Sequence, residues 1–105
     1  MDVKSREEII KFAQKLNSTN LSPLRSGNIS LKAQNNNEAG FLITPSGKKY
    51  DSLKADDIVF VSLEGRYDEK GLQPSSEWRF HKDIYLKKAD AKAVVHAHSP
   101  HATAV

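Results

Sequence analysis

Residues 29–44, ISLKAQNNNEAGFLIT, decide the fold class. Ile29-Ser30-Leu31-Lys32 alternates apolar and polar side chains, as a half-buried strand does. Gln34 to Glu38 is an amide-rich turn, and Gly40-Phe41-Leu42-Ile43-Thr44 is a short apolar run that reads as a second strand paired with the first in a hairpin. Pro45-Ser46-Gly47 stops that strand. Working outward, Ile9, Phe12, Ala13 and Leu16 recur at helical spacing, so the pattern predicts a helix from Ser5 to about Asn17 with one buried face. Ser5 and Glu8 have the S-x-x-E form of a capping box at its start. Ile58 to Leu63 is β-branched and apolar, the clearest strand of the chain, and Leu53 to Asp57 before it has room for one helical turn. Pro74-Ser75-Ser76-Glu77 opens a second helix that runs to about Lys88, with Phe80 and Ile84 on its pattern. Ala93 to His98 reads as a further strand, and Pro100 suits the start of another helix over His101 to Val105. The order is helix, three strands, helix, strand, helix start: an α/β protein.

Composition bounds what such a fold can do. The 105 residues are the size of one domain. With no cysteine, a disulfide framework, a thiolate zinc site, an iron–sulfur cluster and a cysteine nucleophile are excluded. Sixteen basic and 13 acidic residues leave a net charge of +3, and the lysines are interleaved with acids, as in Arg66-Tyr67-Asp68-Glu69-Lys70. No dense basic block with aromatics appears, so the chain lacks a nucleic-acid footprint. No apolar run approaches the roughly 20 residues of a membrane helix, and nothing apolar follows Met1-Asp2-Val3-Lys4 as it would in a signal peptide. A cytoplasmic protein is expected.

Several motifs carry chemistry. In His96-Ala97-His98 two imidazoles at i, i+2 on a strand point the same way, a geometry that suits two ligands of one divalent metal. Two ordinary histidines near a strand end would share the spacing. Ser75-Ser76-Glu77 brings two hydroxyls and backbone N–H groups to a helix start, which suits an anion and equally suits plain N-capping. Glu77 fits either a surface acid steadied by the helix dipole or a general base. Ser26-Gly27-Asn28 and Thr44-Pro45-Ser46-Gly47 are turns in which glycine lets the backbone approach a phosphate. Trp78, Tyr85 and His81 read as packing or internally bonded residues, and His101 as a helix N-terminal residue rather than a third ligand.

Taken in order, Ser26-Gly27-Asn28-Ile29-Ser30, Thr44-Pro45-Ser46-Gly47, Pro74-Ser75-Ser76-Glu77 with Trp78 to Tyr85, and His96-Ala97-His98-Ser99-Pro100-His101-Ala102 resemble the class II aldolase/adducin family across nearly the whole chain. The resemblance implies a shortened α/β/α fold with a largely antiparallel sheet flanked by helices. It implies that Gly27, Asn28, Ser46, Gly47, Ser75 and Ser76 bind a substrate phosphate, that Glu77 is the catalytic acid/base, and that His96 and His98 are two of three histidines holding Zn2+ or another divalent metal. The implied activity is cleavage of a phosphorylated sugar, a ketose phosphate, through a metal-stabilised enediolate, or epimerisation or dehydration of such a substrate by a related enzyme. The implied assembly is a homo-oligomer, with neither nucleic acid nor membrane as partner.

One departure bears on this. The family supplies its third histidine from well beyond the position matching His98, and residues 1–105 correspond to a single domain truncated at its C-terminus relative to the family. A fragment, a short protein completed by other copies, and a pseudoenzyme or adducin-type scaffold that does no chemistry all fit that departure.

Overall fold

The computed structural model describes residues 3–18, 28–46, 52–96 and 102–104. Its centre is the hairpin. Strand β1 (Asn28–Asn35) and strand β2 (Glu38–Ile43) pair antiparallel, with Asn35 opposite Glu38 and Ser30 opposite Ile43. Only Asn36 and Asn37 are left for the turn, and both have positive φ, 51° and 65°. Two left-handed residues in a two-residue loop match the twist of the flanking strands, and asparagine tolerates that conformation better than other residues with a Cβ.

Strand β3 (Val59–Ser62) pairs antiparallel with the outer edge of β2, and strand β4 (Ala93–His96) pairs antiparallel with β1. Strand β5 (Ala102–Ala104) then pairs antiparallel with β4, giving the order β3-β2-β1-β4-β5. Gly40 is required where β2 meets β3: a Cβ there would lie 2.3 Å from the Val61 carbonyl oxygen and 2.6 Å from the Phe60 ring.

Helices cover both faces. Helix α1 (Val3–Ser18) lies on one side, where Ile9 and Ala13 pack with Ile29, Leu42, Leu53 and Ile58. Helix α2 (Trp78–Lys87) lies on the other, where Tyr85 packs with Phe41, Ile43, Val61, Ala91 and Val94. Phe41 and Ile43 belong to the α2 side and Leu42 to the α1 side, which is the period-2 alternation of a strand buried on both faces. Arg6 fastens α1 to a 3-10 turn at Ala55–Asp57, its Nη1 donating to the carbonyls of Ala55 at 2.8 Å and Ile58 at 2.6 Å. Partial burial lowers the Arg6 pKa, and the charge of Asp56 opposes that shift.

The α/β/α layering and the antiparallel sheet agree with expectation, and three details do not. The segment expected to start a third helix forms β5 instead. The edge of β4 offers ready ladder partners to Thr103 and its neighbours. Helix α1 begins at Val3, so Ser5 lies inside the helix rather than capping it. Phe12, expected on the buried face, is 57% exposed, because the helix is turned so that Ile9 and Ala13 are its fully buried residues, with Ile10 packed against their cluster. On α2, His81 and Tyr85 are buried in line with their reading as packing or internally bonded residues, whereas Phe80 and Leu86 are exposed. Among the described residues, no helix is long and apolar enough to cross a membrane.

Candidate active site

The described residues of the candidate site gather at one end of the sheet. There β1 begins, β2 and β4 end, and α2 starts. Thr44 joins the pieces. Its backbone N–H donates to the Ile29 carbonyl at 3.1 Å, and its Oγ1 accepts from the Ile29 N–H at 3.3 Å, extending the β1–β2 pairing past Ile43. Its own carbonyl accepts from the Ser75 N–H at 2.9 Å. Pro45 and Pro74 form an antiparallel bridge, and the Ser46 N–H donates to the Gln73 carbonyl at 2.9 Å. Two turns about thirty residues apart in sequence are therefore one structural unit, held by backbone bonds on both sides of a proline pair.

The described ones among the sequence-predicted residues can be placed in that frame. Asn28 opens β1, is 5% exposed, and lies opposite His96 of β4 in the backbone register. Ser46 is exposed, with its N–H already given to Gln73, so what it can offer a ligand is its hydroxyl. Ser75 is only 8% exposed, and its Oγ accepts from the Glu77 N–H at 3.2 Å while its carbonyl accepts from the Trp78 N–H at 3.0 Å. Ser75 thus satisfies two of the orphan donors at the start of α2 and keeps its hydroxyl proton to donate. Ser76 is exposed, and Glu77 is the exposed N-cap of α2, its carbonyl accepting from the N–H groups of Phe80 and His81. Gly27, Gly47 and His98 lie outside the described residues, and of His96 only the backbone is described. Among the described residues, no three His, Cys, Asp or Glu side chains cluster to hold a metal.

Behind Asn28 runs a buried polar chain that the sequence motifs do not announce. Asn28 Oδ1 is hydrogen-bonded to His81 Nε2, His81 Nδ1 to Ser30 Oγ at 2.7 Å, and Ser30 Oγ to Tyr85 Oη at 2.9 Å. His81 and Ser30 are fully buried, and the rings of His81 and Tyr85 stack on Phe41 at centroid distances of 6.4 Å and 5.3 Å. Burial pushes the Tyr85 phenol up to about 12, opposed by its hydrogen bonds to Ser30 and to the Val94 backbone. The signal available beforehand was weak: His81 and Tyr85 are four apart on α2, and Ser30 is the small polar residue of an otherwise apolar strand half.

Comparison with known proteins places the chain in a family. Residues 7–105 match the Class II Aldolase and Adducin N-terminal domain, and the chain belongs to that family. It is 41% identical over 102 residues to the L-fuculose phosphate aldolase of Escherichia coli (strain K12), covering 97% of this chain and 45% of that one. It is equally 41% identical over 98 residues to the 5-methylthioribulose-1-phosphate/5-deoxyribulose-1-phosphate aldolase of Rhodospirillum rubrum, covering 93% of this chain and 42% of the relative. A solved L-fuculose 1-phosphate aldolase superposes with a TM-score of 0.83 at 33% identity, over 95% of this chain and 46% of that one. The chain therefore spans a little under half the length of the relatives it matches.

Proposed function

We propose that the chain carries the phosphate-binding and acid/base half of a class II sugar-phosphate aldolase site. The observation that carries this reading is the convergence of Asn28, Ser46 and Ser75, three separately placed donors, on one end of the sheet next to Glu77. Hydroxyls of Ser46, Ser75 and Ser76 and the side-chain amide of Asn28 hold the phosphate, together with Gly27 and Gly47. Because Ser75 already occupies the N–H groups of Glu77 and Trp78, hydroxyl and amide donors carry more of the anion's coordination than the helix terminus does. Fixing the phosphate orients the sugar so that its reacting bond lies beside Glu77.

His96 and His98 are the donors of this chain that would hold Zn2+ or another divalent ion. The backbone register supports His96 in that role, since it lies directly across from Asn28 at the same sheet end, and imidazole is a common zinc ligand. When bound, such an ion supplies Lewis-acid polarisation of the substrate carbonyl. In the cleavage itself, the bond between the carbon next to the carbonyl and the hydroxyl-bearing carbon breaks. Glu77 as the base takes the hydroxyl proton as the aldehyde forms, and as the acid it returns that proton to the carbon left electron-rich. Exposed Phe12, Phe80 and Leu86 support association with further copies or chains, and the sugar-phosphate substrate supports a cytoplasmic setting.

The test is cleavage of ketose 1-phosphates by the zinc-loaded protein, with the aldehyde product measured. Glu77→Gln is expected to lower the rate by about 10²–10³-fold with little change in phosphate binding. Cleavage untouched by Glu77→Gln contradicts the acid/base assignment. A protein that binds neither zinc nor phosphate contradicts the enzyme reading and leaves a scaffold of the adducin kind.

A further inference from the structure

We infer that His81 is a positioning residue: held as the Nε2–H tautomer, it donates to Asn28 Oδ1 and so commits the Asn28 amide to offer its NH2 donors to a bound phosphate. The inference rests on the reading of Asn28 as a phosphate ligand and adds what sets its orientation.

Proton counting along the buried chain gives the direction. Tyr85 is buried and keeps its phenolic proton well past neutral pH. The Val94 backbone bonds the phenol in the sense that favours the phenolate, as an N–H donor does, so the phenolic proton needs a different acceptor. Among the described residues, the side-chain acceptor in reach is Ser30 Oγ, 2.9 Å away. Ser30 has one proton of its own, and with Tyr85 donating to its oxygen that proton goes to His81 Nδ1 at 2.7 Å. A ring nitrogen that accepts is bare, so the neutral ring carries its proton on Nε2, facing Asn28. The amide must then turn its carbonyl oxygen to the ring. The opposite tautomer would let Asn28 give its NH2 to His81 and turn Oδ1, an acceptor, toward an anion that itself only accepts. One hydroxyl on β1 and one on α2 therefore decide which end of Asn28 a phosphate meets.

His81 does not need to touch the ligand to act this way. Its ring is fully buried, stacked on Phe41 at one side and edge-on to Phe80 at 6.2 Å, so the imidazole plane is fixed by packing before any ligand arrives. Fixing a donor in advance spares the site the cost of ordering it on binding.

Two measurements test this on the protein. Long-range 1H–15N NMR of the unsubstituted protein reports the ring tautomer directly, and the expected result is a protonated Nε2 and a bare Nδ1. Titration with inorganic phosphate then compares three variants. His81→Phe removes the donor and is expected to weaken phosphate binding about ten-fold. His81→Gln restores an N–H donor near the Nε2 position and is expected to recover most of that loss. Asn28→Ala is expected to weaken binding at least as much as His81→Phe. A protonated Nδ1 overturns the inference even if His81→Phe fails to fold, because the spectrum is taken on the unsubstituted protein. Full phosphate affinity in a folded His81→Phe, while Asn28→Ala is impaired, also overturns it and leaves the phosphate site standing. Unimpaired binding in Asn28→Ala overturns the phosphate-site reading itself.

Discussion

The two faces of the sheet are built on different principles. On the α1 face, Ile9, Ala13, Ile29, Leu42, Leu53 and Ile58 form an apolar cluster, with the part-buried Arg6 bonded to backbone carbonyls beside it. On the α2 face, Phe41, Ile43, Val61 and Val94 share the interior with His81, Ser30, Tyr85 and Asn28. Burying unpaired polar groups is costly, and a polar network is tolerated only when its members are bonded to one another. The α2 face accepts that constraint along the line of residues that ends at the candidate site. The α1 face supplies packing, and the α2 face supplies orientation.

The largest effect that sharpens this contrast is expected on the α1 face. Leu42 is fully buried, and Leu42→Ala should cost about 2–5 kcal/mol in denaturant unfolding while leaving the phosphate affinity of the folded protein unchanged. A comparable loss of affinity in that variant would break the division of labour. Ser30→Ala should cost less, about 1–3 kcal/mol, since it strands His81 Nδ1 and Tyr85 Oη without removing much volume. Unlike Leu42→Ala it should also weaken phosphate binding in the folded protein. A third effect is alkaline. Tyr85 has its pKa raised on folding to about 12 from an ordinary value of 10.0, so above about pH 10 the unfolded chain releases the phenolic proton and the folded one keeps it. The stability tied to the neutral phenol is then fully present below pH 10 and lost between pH 10 and 12. Tyr85→Phe should flatten that part of the stability–pH curve, and an unchanged slope would show that Tyr85 titrates alike in both states.

Much of this fold was legible because its cues are local. The hairpin was readable from alternation on either side of an asparagine turn, and the strand over 59–62 from its β-branched run. Rotation of the helices was not. Phe12 lies within about a sixth of a turn of Ile9 on a helical wheel, so spacing alone does not say which of them the sheet covers. On α2 the reading of His81 and Tyr85 as packing or internally bonded residues agrees with their burial, while Phe80, placed on the helical pattern, is exposed. Strand β5 was misread because its pairing depends on a partner edge that no local pattern reveals. For the site, serine- and glycine-rich turns pointed to Asn28, Ser46 and Ser75 individually, while their union through Thr44 and the Pro45–Pro74 bridge is a tertiary fact. The chain from Asn28 to Tyr85 draws on β1 and α2, about fifty residues apart, and carries no motif of its own.

The convergence of those turns into one anion site is most directly tested by thermal unfolding with and without inorganic phosphate, in the unsubstituted protein and in Ser75→Ala. Ligand that binds the folded state stabilises it by about 2.7 kcal/mol at a hundred-fold excess over Kd. In a domain of this size that amounts to a rise of roughly 10 °C or more in Tm. A rise of that order at millimolar phosphate, clearly reduced in Ser75→Ala, is the predicted result. No rise, or a rise of the same size in Ser75→Ala, would contradict the assignment of these loops to the phosphate.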